Sequence, residues 1–168
     1  MDHGYQQKEE DSAVLPNGDQ YQSLVGGLLY IAVNSRPDVS ISASFLGRSV
    51  SQPRVRDWTE AKRVLRYLYN TRSFHLKLGA TDSGLEVFCD ADWAGDTSDR
   101  KSTSGFLIFL GGGIVSWASR KESFVALSST ESEFIALAKA CQEVQWLRKL
   151  LKDLGKRVDQ GPEKEKCH

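Results

Sequence analysis

The feature that most constrains this chain is a change of hydrophobic period near residue 75. Before that point, apolar residues recur at helical spacing, whereas after it they alternate in short runs typical of strands. A second long helical pattern follows the last of these runs. The chain is therefore expected to have a helical segment, followed by a segment of α+β or α/β class.

The segment before residue 75 predicts three helices. The first covers Tyr21 to Asn34, and Pro37 ends it because proline disfavours helical geometry in the residue before it. The second runs to about residue 51. The third, from Val55 to Asn70, places apolar residues on one side and four cations on the other. These cations are Arg56, Lys62, Arg63 and Arg66. Residues 1–20 are polar and aperiodic, and we expect a flexible N-terminal arm there.

The segment after residue 75 predicts a small sheet and one long helix. Alternating or apolar runs at 85–90, 104–110 and 114–118 indicate three strands, with a glycine turn at 111–113 between the last two. A short run at 75–78 is a further strand candidate. Ser128 with Glu131, and Thr130 with Glu133, each have capping-box spacing at the start of the long helix, and Gly155 is typical of its end. Residues 156–168 are predicted to form a charged tail.

The charges are unevenly distributed although 22 basic and 22 acidic residues give a net charge of zero. With 40% hydrophobic residues, this balance excludes a disordered tail, a collagen-like repeat and a uniformly basic nucleic-acid binder. Residues 36–79 nevertheless carry nine bases and three acids, whereas residues 85–99 carry five acids and no base. A metal-dependent enzyme that acts on phosphodiesters requires such a pairing of surfaces. Ordinary solvated faces would give the same pattern.

Apolar run length, the N-terminal residues and the cysteine spacing give three further expectations. The longest apolar run, residues 24–33, is too short for a membrane span, so no membrane is expected. The chain does not open with a secretory leader pattern, so we expect an intracellular protein, cytoplasmic or nuclear. Cys89, Cys141 and Cys167 have unrelated spacings, which indicates neither a disulfide framework nor a zinc site.

Four carboxylates are candidates for a metal site. Asp90 ends a buried strand and Asp92 follows it, while Glu131 and Glu133 lie at the start of the long helix. If this helix packs back over the sheet, acids from the two places could share Mg²⁺, which prefers oxygen ligands. The alternatives are acids of a turn for the first pair and capping residues for the second.

Four motifs occur in order and carry a resemblance to a known family. They are 89–96 (CDADWAGD), 100–105 (RKSTSG), 115–121 (VSWASRK) and 127–136 (LSSTESEFIA). Together they closely resemble the ribonuclease H region of Ty1/copia retrotransposon polyproteins. Residues 21–26, 36–38 and 58–68 are similar to the segment that joins the reverse transcriptase to this region. The resemblance covers about residues 21–155.

The resemblance implies an incomplete ribonuclease H-like fold, with a three-stranded antiparallel meander and a long helix at 80–155 after a helical connection at 21–79. That family hydrolyses the RNA strand of RNA–DNA hybrids with two divalent ions, Mg²⁺ or Mn²⁺. By position, Asp90 and Glu133 match catalytic metal ligands, and Asp92 and Glu131 are less certain ones. Residues Ser128, Ser129 and Thr130 would lie where the hybrid backbone passes.

The chain departs from the family after the long helix. No strand with a third catalytic aspartate is evident, and Asp159 is the only aspartate there. We therefore expect a C-terminal truncation, an open sheet edge that invites self-association, and weak or absent hydrolysis. Two alternatives remain, namely a non-catalytic nucleic-acid-binding module that uses the basic helix face and a transposon relic without function.

Overall fold

The computed structural model describes residues 12–79, 81, 83–96 and 98–156, together with a strand at 164–167. The chain divides into two compact units, residues 1–75 and 76–168. Within the described residues, the first unit is helical and the second is a mixed α/β unit. The boundary between the two units falls near residue 75, where the hydrophobic period of the sequence changes.

The helical unit contains α1 (Asp19–Asn34), a 3-10 turn (Pro37–Val39), α2 (Ser40–Arg48) and α3 (Val55–Asn70). Its core consists of residues that recur every three or four positions on each helix, such as Tyr21, Val25 and Leu28 on α1. Tyr21 is fully buried, and its hydroxyl donates a hydrogen bond of 2.7 Å to the carbonyl oxygen of Leu46. This bond joins α1 to α2.

Two local predictions for the helical unit differ from the structure. The second predicted helix is split because Pro37 opens a 3-10 turn, and α2 starts only at Ser40. The part of the predicted flexible arm that the structure describes, residues 12–20, is ordered. Val14 forms an antiparallel bridge with Arg54, and the Leu15 N–H donates to Pro53 O at 2.8 Å. Residues 1–11 of the arm lie outside the described residues.

The second unit contains β1 (Leu85–Asp92), β2 (Thr103–Leu110), β3 (Gly113–Lys121), α4 (Ser129–Asp153) and β4 (Lys164–Cys167). The first three strands form the predicted antiparallel meander, and residues 75–78 are not a strand. Gly111 and Gly112 have φ of +61° and +73° in the turn between β2 and β3, a conformation that favours glycine. The long helix packs on one face of the sheet, where Ala136 and Ala140 meet Val87 and Ile108.

The tail contains a strand that the sequence analysis did not predict. β4 pairs in parallel with β1 over Glu86–Cys89, which gives the strand order β3-β2-β1-β4. The expectation of an open edge beside β1 is therefore wrong for these four residues. Their backbone groups gain partners from a segment whose composition, Lys-Glu-Lys-Cys, carries no apolar alternation. The rest of the predicted tail, including Asp159, lies outside the described residues, apart from Lys156.

Cysteine chemistry also differs from the expectation. Cys89 is buried in β1 and is disulfide-bonded, although the spacing of the cysteines did not indicate a disulfide. Cys141 on α4 is free. No helix in the described part of the chain is both long and apolar enough to cross a bilayer.

Candidate functional site

Asp90 and Asp92 lie at the carboxyl end of β1, and both are exposed. Side chains alternate between the faces of a strand, and the residues of β1 that pack against α4 include Val87 and Cys89. Asp90 and Asp92 therefore belong to the opposite face. The Oδ1 atom of Asp90 accepts a hydrogen bond of 2.8 Å from the N–H of Ala91. This end of the strand is accessible to solvent.

The start of α4 is a capped helix terminus. The Oγ atom of Ser128 accepts a hydrogen bond of 3.1 Å from the N–H of Glu131, as the capping-box spacing predicted. The Oε2 atom of Glu131 accepts a hydrogen bond of 2.6 Å from the N–H of Leu127. One carboxylate oxygen of Glu131 is thus hydrogen-bonded to a backbone N–H group. Ser129, Thr130 and Glu133 are exposed.

A two-metal centre needs several carboxylates close together. In the part of the chain that the structure describes, no group of three or more histidines, cysteines, aspartates or glutamates could hold a metal ion. The capping role of Glu131 uses one of its oxygens, and Asp90 and Asp92 belong to the sheet face opposite α4. We therefore derive no catalytic step through a metal ion.

Two acids in the loop after β1 form an ion-pair network with Lys121 of the third motif. The Nζ atom of Lys121, at the end of β3, lies 2.5 Å from Asp96 Oδ2 and 2.9 Å from Asp99 Oδ1 in the loop after β1. Partial burial by itself would raise the pKa of Asp96. Hydrogen bonds from Lys121 and Ser98 outweigh this effect and hold the pKa well below its usual value. The network ties the loop after β1 to β3.

A second network is buried and was missed by sequence reasoning. Glu122 accepts hydrogen bonds from the hydroxyl of Ser104 on β2 and from Lys139 Nζ on α4, the latter at 2.6 and 2.7 Å. The Glu122 side chain is only 3% exposed. Three elements, β2, the end of β3 and α4, thus meet at one carboxylate. The signal was present in the sequence, because Ser104 belongs to the second motif and Glu122 directly follows the third.

The basic face of α3 is largely exposed, as the amphipathic pattern predicted. Lys62, Arg63 and Arg66 are exposed, and the buried residues Ala61, Val64 and Leu68 lie on the other side of the helix. This exposed set of three cations is called the α3 cation face below. The fourth cation of the predicted stripe, Arg56, is half-buried with its Nε 3.5 Å from Asp57 Oδ1.

The members of the α3 cation face differ in how they are engaged within the protein. Arg63 lies 3.3 Å from Glu60 Oε1, and the Lys62 ammonium lies 5.4 Å from the centre of the Trp58 ring. The side chain of Arg66 makes no hydrogen bond or ion pair within the described residues. Arg66 is therefore the cation of this face that is least committed to intramolecular contacts.

Tyr67, at the edge of this helix, has a structural contact. Its hydroxyl donates to Asp38 Oδ2 at 2.9 Å, and Asp38 also accepts from Arg36 at 2.7 and 2.9 Å. The Arg36 hydrogen bonds, with that of Tyr67, hold the pKa of Asp38 below its ordinary value against the opposing effect of burial. Arg36 further donates to Thr71 Oγ1 at 2.7 Å. The Arg-Pro-Asp motif thus joins the 3-10 turn to the end of α3.

Comparisons with known proteins place these features in a family. The chain is 47% identical over 128 residues to the secreted RxLR effector protein 161 of Plasmopara viticola, a match that covers 76% of this chain and 90% of that protein. It is 41% identical over 150 residues to the retrovirus-related Pol polyprotein from transposon RE2 of Arabidopsis thaliana. It is also 40% identical over 135 residues to that from transposon TNT 1-94 of Nicotiana tabacum.

The matches to the two polyproteins cover 88% and 80% of this chain but only 10% of each polyprotein, so the chain spans about a tenth of their length. No family model matches the chain, and no solved structure matches it significantly. The identities nevertheless extend over most of the chain, and the match to the effector protein covers almost all of that protein. The chain is therefore a retrotransposon-derived fragment that is similar, over most of its length, to a segment of the retrovirus-related Pol polyproteins from transposons.

Proposed function

We propose that this Pol fragment binds nucleic acid through the α3 cation face and does not cleave it efficiently. The observation that carries the proposal is the exposure of Lys62, Arg63 and Arg66 on one side of α3. Exposed cations on one helix face can neutralise successive phosphates of a backbone and release their counterions. The surrounding segment, residues 36–79, has six more bases than acids, which favours a polyanionic ligand.

The second unit is proposed to be a ribonuclease H-like domain. The support for this proposal is topological. An antiparallel meander is followed by a long helix and then by a strand that returns parallel to β1. Asp90 lies at the end of β1, and Glu133 lies near the start of α4. Hydrolysis of an RNA–DNA hybrid is the activity that the resemblance implies. We expect it to be weak or absent because only two of the metal-binding acids of that family, Asp90 and Glu133, were identified in the sequence, and the described residues contain no group of three such ligands.

The binding proposal is tested by measuring hybrid affinity at several salt concentrations. Neutralising up to three phosphates predicts a slope of log K against log salt of about −2 to −3. Arg66→Glu removes one cation without breaking a described contact, and we expect the magnitude of the slope to fall by about 1. Lys149→Glu is the matched control, since Lys149 is an exposed cation on α4. Equal effects of the two variants would contradict a role for α3.

Cleavage is tested separately with a labelled RNA–DNA hybrid and Mg²⁺ or Mn²⁺. We expect little or no product from the unchanged protein. If product forms, Asp90→Asn and Glu133→Gln must abolish it for the ribonuclease H assignment to hold. Product that survives both substitutions indicates a contaminating nuclease, and product that both abolish contradicts the expectation of an inactive site.

A further inference from the structure

A cavity of about 260 Å³ lies between α4 and the outer half of the sheet. On this face Ser104 of β2 pairs with Arg120 of β3, and Phe106 pairs with Ala118. The core contacts of α4 are with β1 and β2. Because Ser104 and Ala118 are small, the helix and the β2–β3 pair leave space between them. The cavity therefore follows from side-chain size at the centre of the β2–β3 pair.

The walls of the cavity are held by two connections between sheet and helix. The Ser116 hydroxyl donates to Glu143 Oε1 at 2.8 Å, and Lys139 Nζ donates to Glu122. Ser116 lies in β3, and Glu122 directly follows this strand. The two residues are six positions apart, or about 20 Å of extended chain, so the two connections are well separated. The acidic groups near the cavity are thus already hydrogen-bonded. The cavity is preformed, as small-molecule sites usually are.

Two polar groups that line the cavity are uncommitted. Arg120 is exposed, and neither its side chain nor that of Gln142 makes a hydrogen bond or ion pair within the described residues. Half-buried Phe106 supplies a flat apolar surface beside them. A guanidinium is planar and matches a carboxylate with two parallel hydrogen bonds. The lining thus offers one anion-binding group and one aromatic surface.

We propose that this cavity binds a small aromatic carboxylate, with the carboxylate on Arg120 and the ring against Phe106. The volume supports a ligand with a single ring, because pockets for drug-sized ligands start at roughly 300 Å³. Lys139 compensates the charge of Glu122, whereas Glu143 keeps its charge because its partner, the Ser116 hydroxyl, is neutral. The attraction for the carboxylate of the ligand therefore has to come from Arg120. The site involves no residue of α3 and is independent of the proposed nucleic-acid binding.

The test is a titration of the full chain with benzoate, followed by amide chemical shifts in NMR spectra. We expect shifts at residues 106, 118, 120 and 142, and much smaller ones with benzamide, which lacks the charge. Inorganic phosphate, which lacks the ring, is also expected to bind more weakly. If benzamide or inorganic phosphate perturbs the same amides as strongly as benzoate, the ligand class is wrong. If benzoate perturbs none of them, the site does not exist.

Two variants and one control complete the test. Arg120→Gln removes the charge from an exposed side chain, and we expect it to weaken benzoate binding about tenfold or more. Lys149→Gln makes the same chemical change elsewhere on the surface and is expected to leave binding unchanged. Ala118→Leu is expected to block the cavity, provided that the dispersion of the spectrum shows an intact fold. If the Arg120→Gln and Lys149→Gln variants bind benzoate with equal affinity, the proposal is overturned, whatever the result for Ala118→Leu.

Discussion

The buried carboxylate of Glu122 provides the sharpest test of how the second unit is held together. Lys139 Nζ approaches both oxygens of Glu122, and the Ser104 hydroxyl donates to one of them. Replacing Lys139 by Met keeps the length of the side chain but removes the cation. Within the described residues, the Glu122 carboxylate, 3% exposed, then keeps the Ser104 hydroxyl as its only hydrogen-bond donor.

The expected cost follows from burial. Removing one partner of a buried ion pair costs about 3 to 5 kcal/mol, because the remaining charge is left without compensation. Lys139 is itself 37% exposed, so solvent already screens part of the interaction, and we expect the lower end of this range, about 3 kcal/mol. For a urea m-value of about 1 to 3 kcal/mol/M, the midpoint should fall by about 1 to 3 M.

The assay is urea unfolding followed by tryptophan fluorescence. Three of the four tryptophans, Trp93, Trp117 and Trp146, belong to the second unit, so the signal reports mainly on that unit. Lys149→Met is the matched control on the same helix, because Lys149 is exposed and its loss should change stability by less than about 0.5 kcal/mol.

A double-mutant cycle separates the ion pair from other effects. Glu122→Gln keeps an acceptor for Ser104, and we expect it to cost about 1 to 2 kcal/mol. The double variant with Lys139→Met should be more stable than the sum of the single effects predicts, by about 1 to 3 kcal/mol. Strict additivity, or a cost for Lys139→Met no greater than for Lys149→Met, would refute the role assigned to this network.

Two further predictions concern titration and hydrogen bonding. Because the pKa of Asp96 is lower in the folded than in the unfolded chain, its ion pair with Lys121 stabilises the fold above about pH 4, and this contribution is lost as the pH falls further. The Asp96→Asn variant should therefore lose less stability than the unchanged protein when the pH falls from about 5 to about 2, as measured by urea unfolding. The same pH profile for both proteins would contradict this. Tyr21→Phe should destabilise the helical unit by about 1 kcal/mol in thermal unfolding followed by circular dichroism, since Leu46 O loses its side-chain donor. A loss above about 3 kcal/mol would show that the hydroxyl does more than this bond.

Local patterns predicted much of the secondary structure. The amphipathic run at 55–70 matches α3 at both ends, and the strand runs at 85–90, 104–110 and 114–118 fall within β1, β2 and β3. Of the two capping-box pairs in the sequence, Ser128 with Glu131 is the one at the start of α4, and Gly155 follows the end of this helix with φ of +71°. These features depend on side-chain spacing and on interactions between residues close in sequence.

Other features could not be predicted in this way. β4 has no apolar alternation, so only its pairing with β1 identifies it as a strand. The order of residues 12–20 depends on contacts with Pro53 and Arg54, which are distant in sequence. The proposed roles of Asp90, Glu133 and the residues at the start of α4 in metal or nucleic-acid binding stay predictions.

The sequence by itself determined the order and approximate limits of α1, α3, β1 to β3 and α4, because each is encoded by local periodicity and capping. Only the tertiary structure decided which polar groups meet. It brought Ser104, Glu122 and Lys139 together from three elements, and it left Arg120 beside a cavity without a partner in the described residues. The physical reason is that hydrogen bonds and ion pairs act over a few ångströms, and residues far apart in sequence come within that range only when the chain folds.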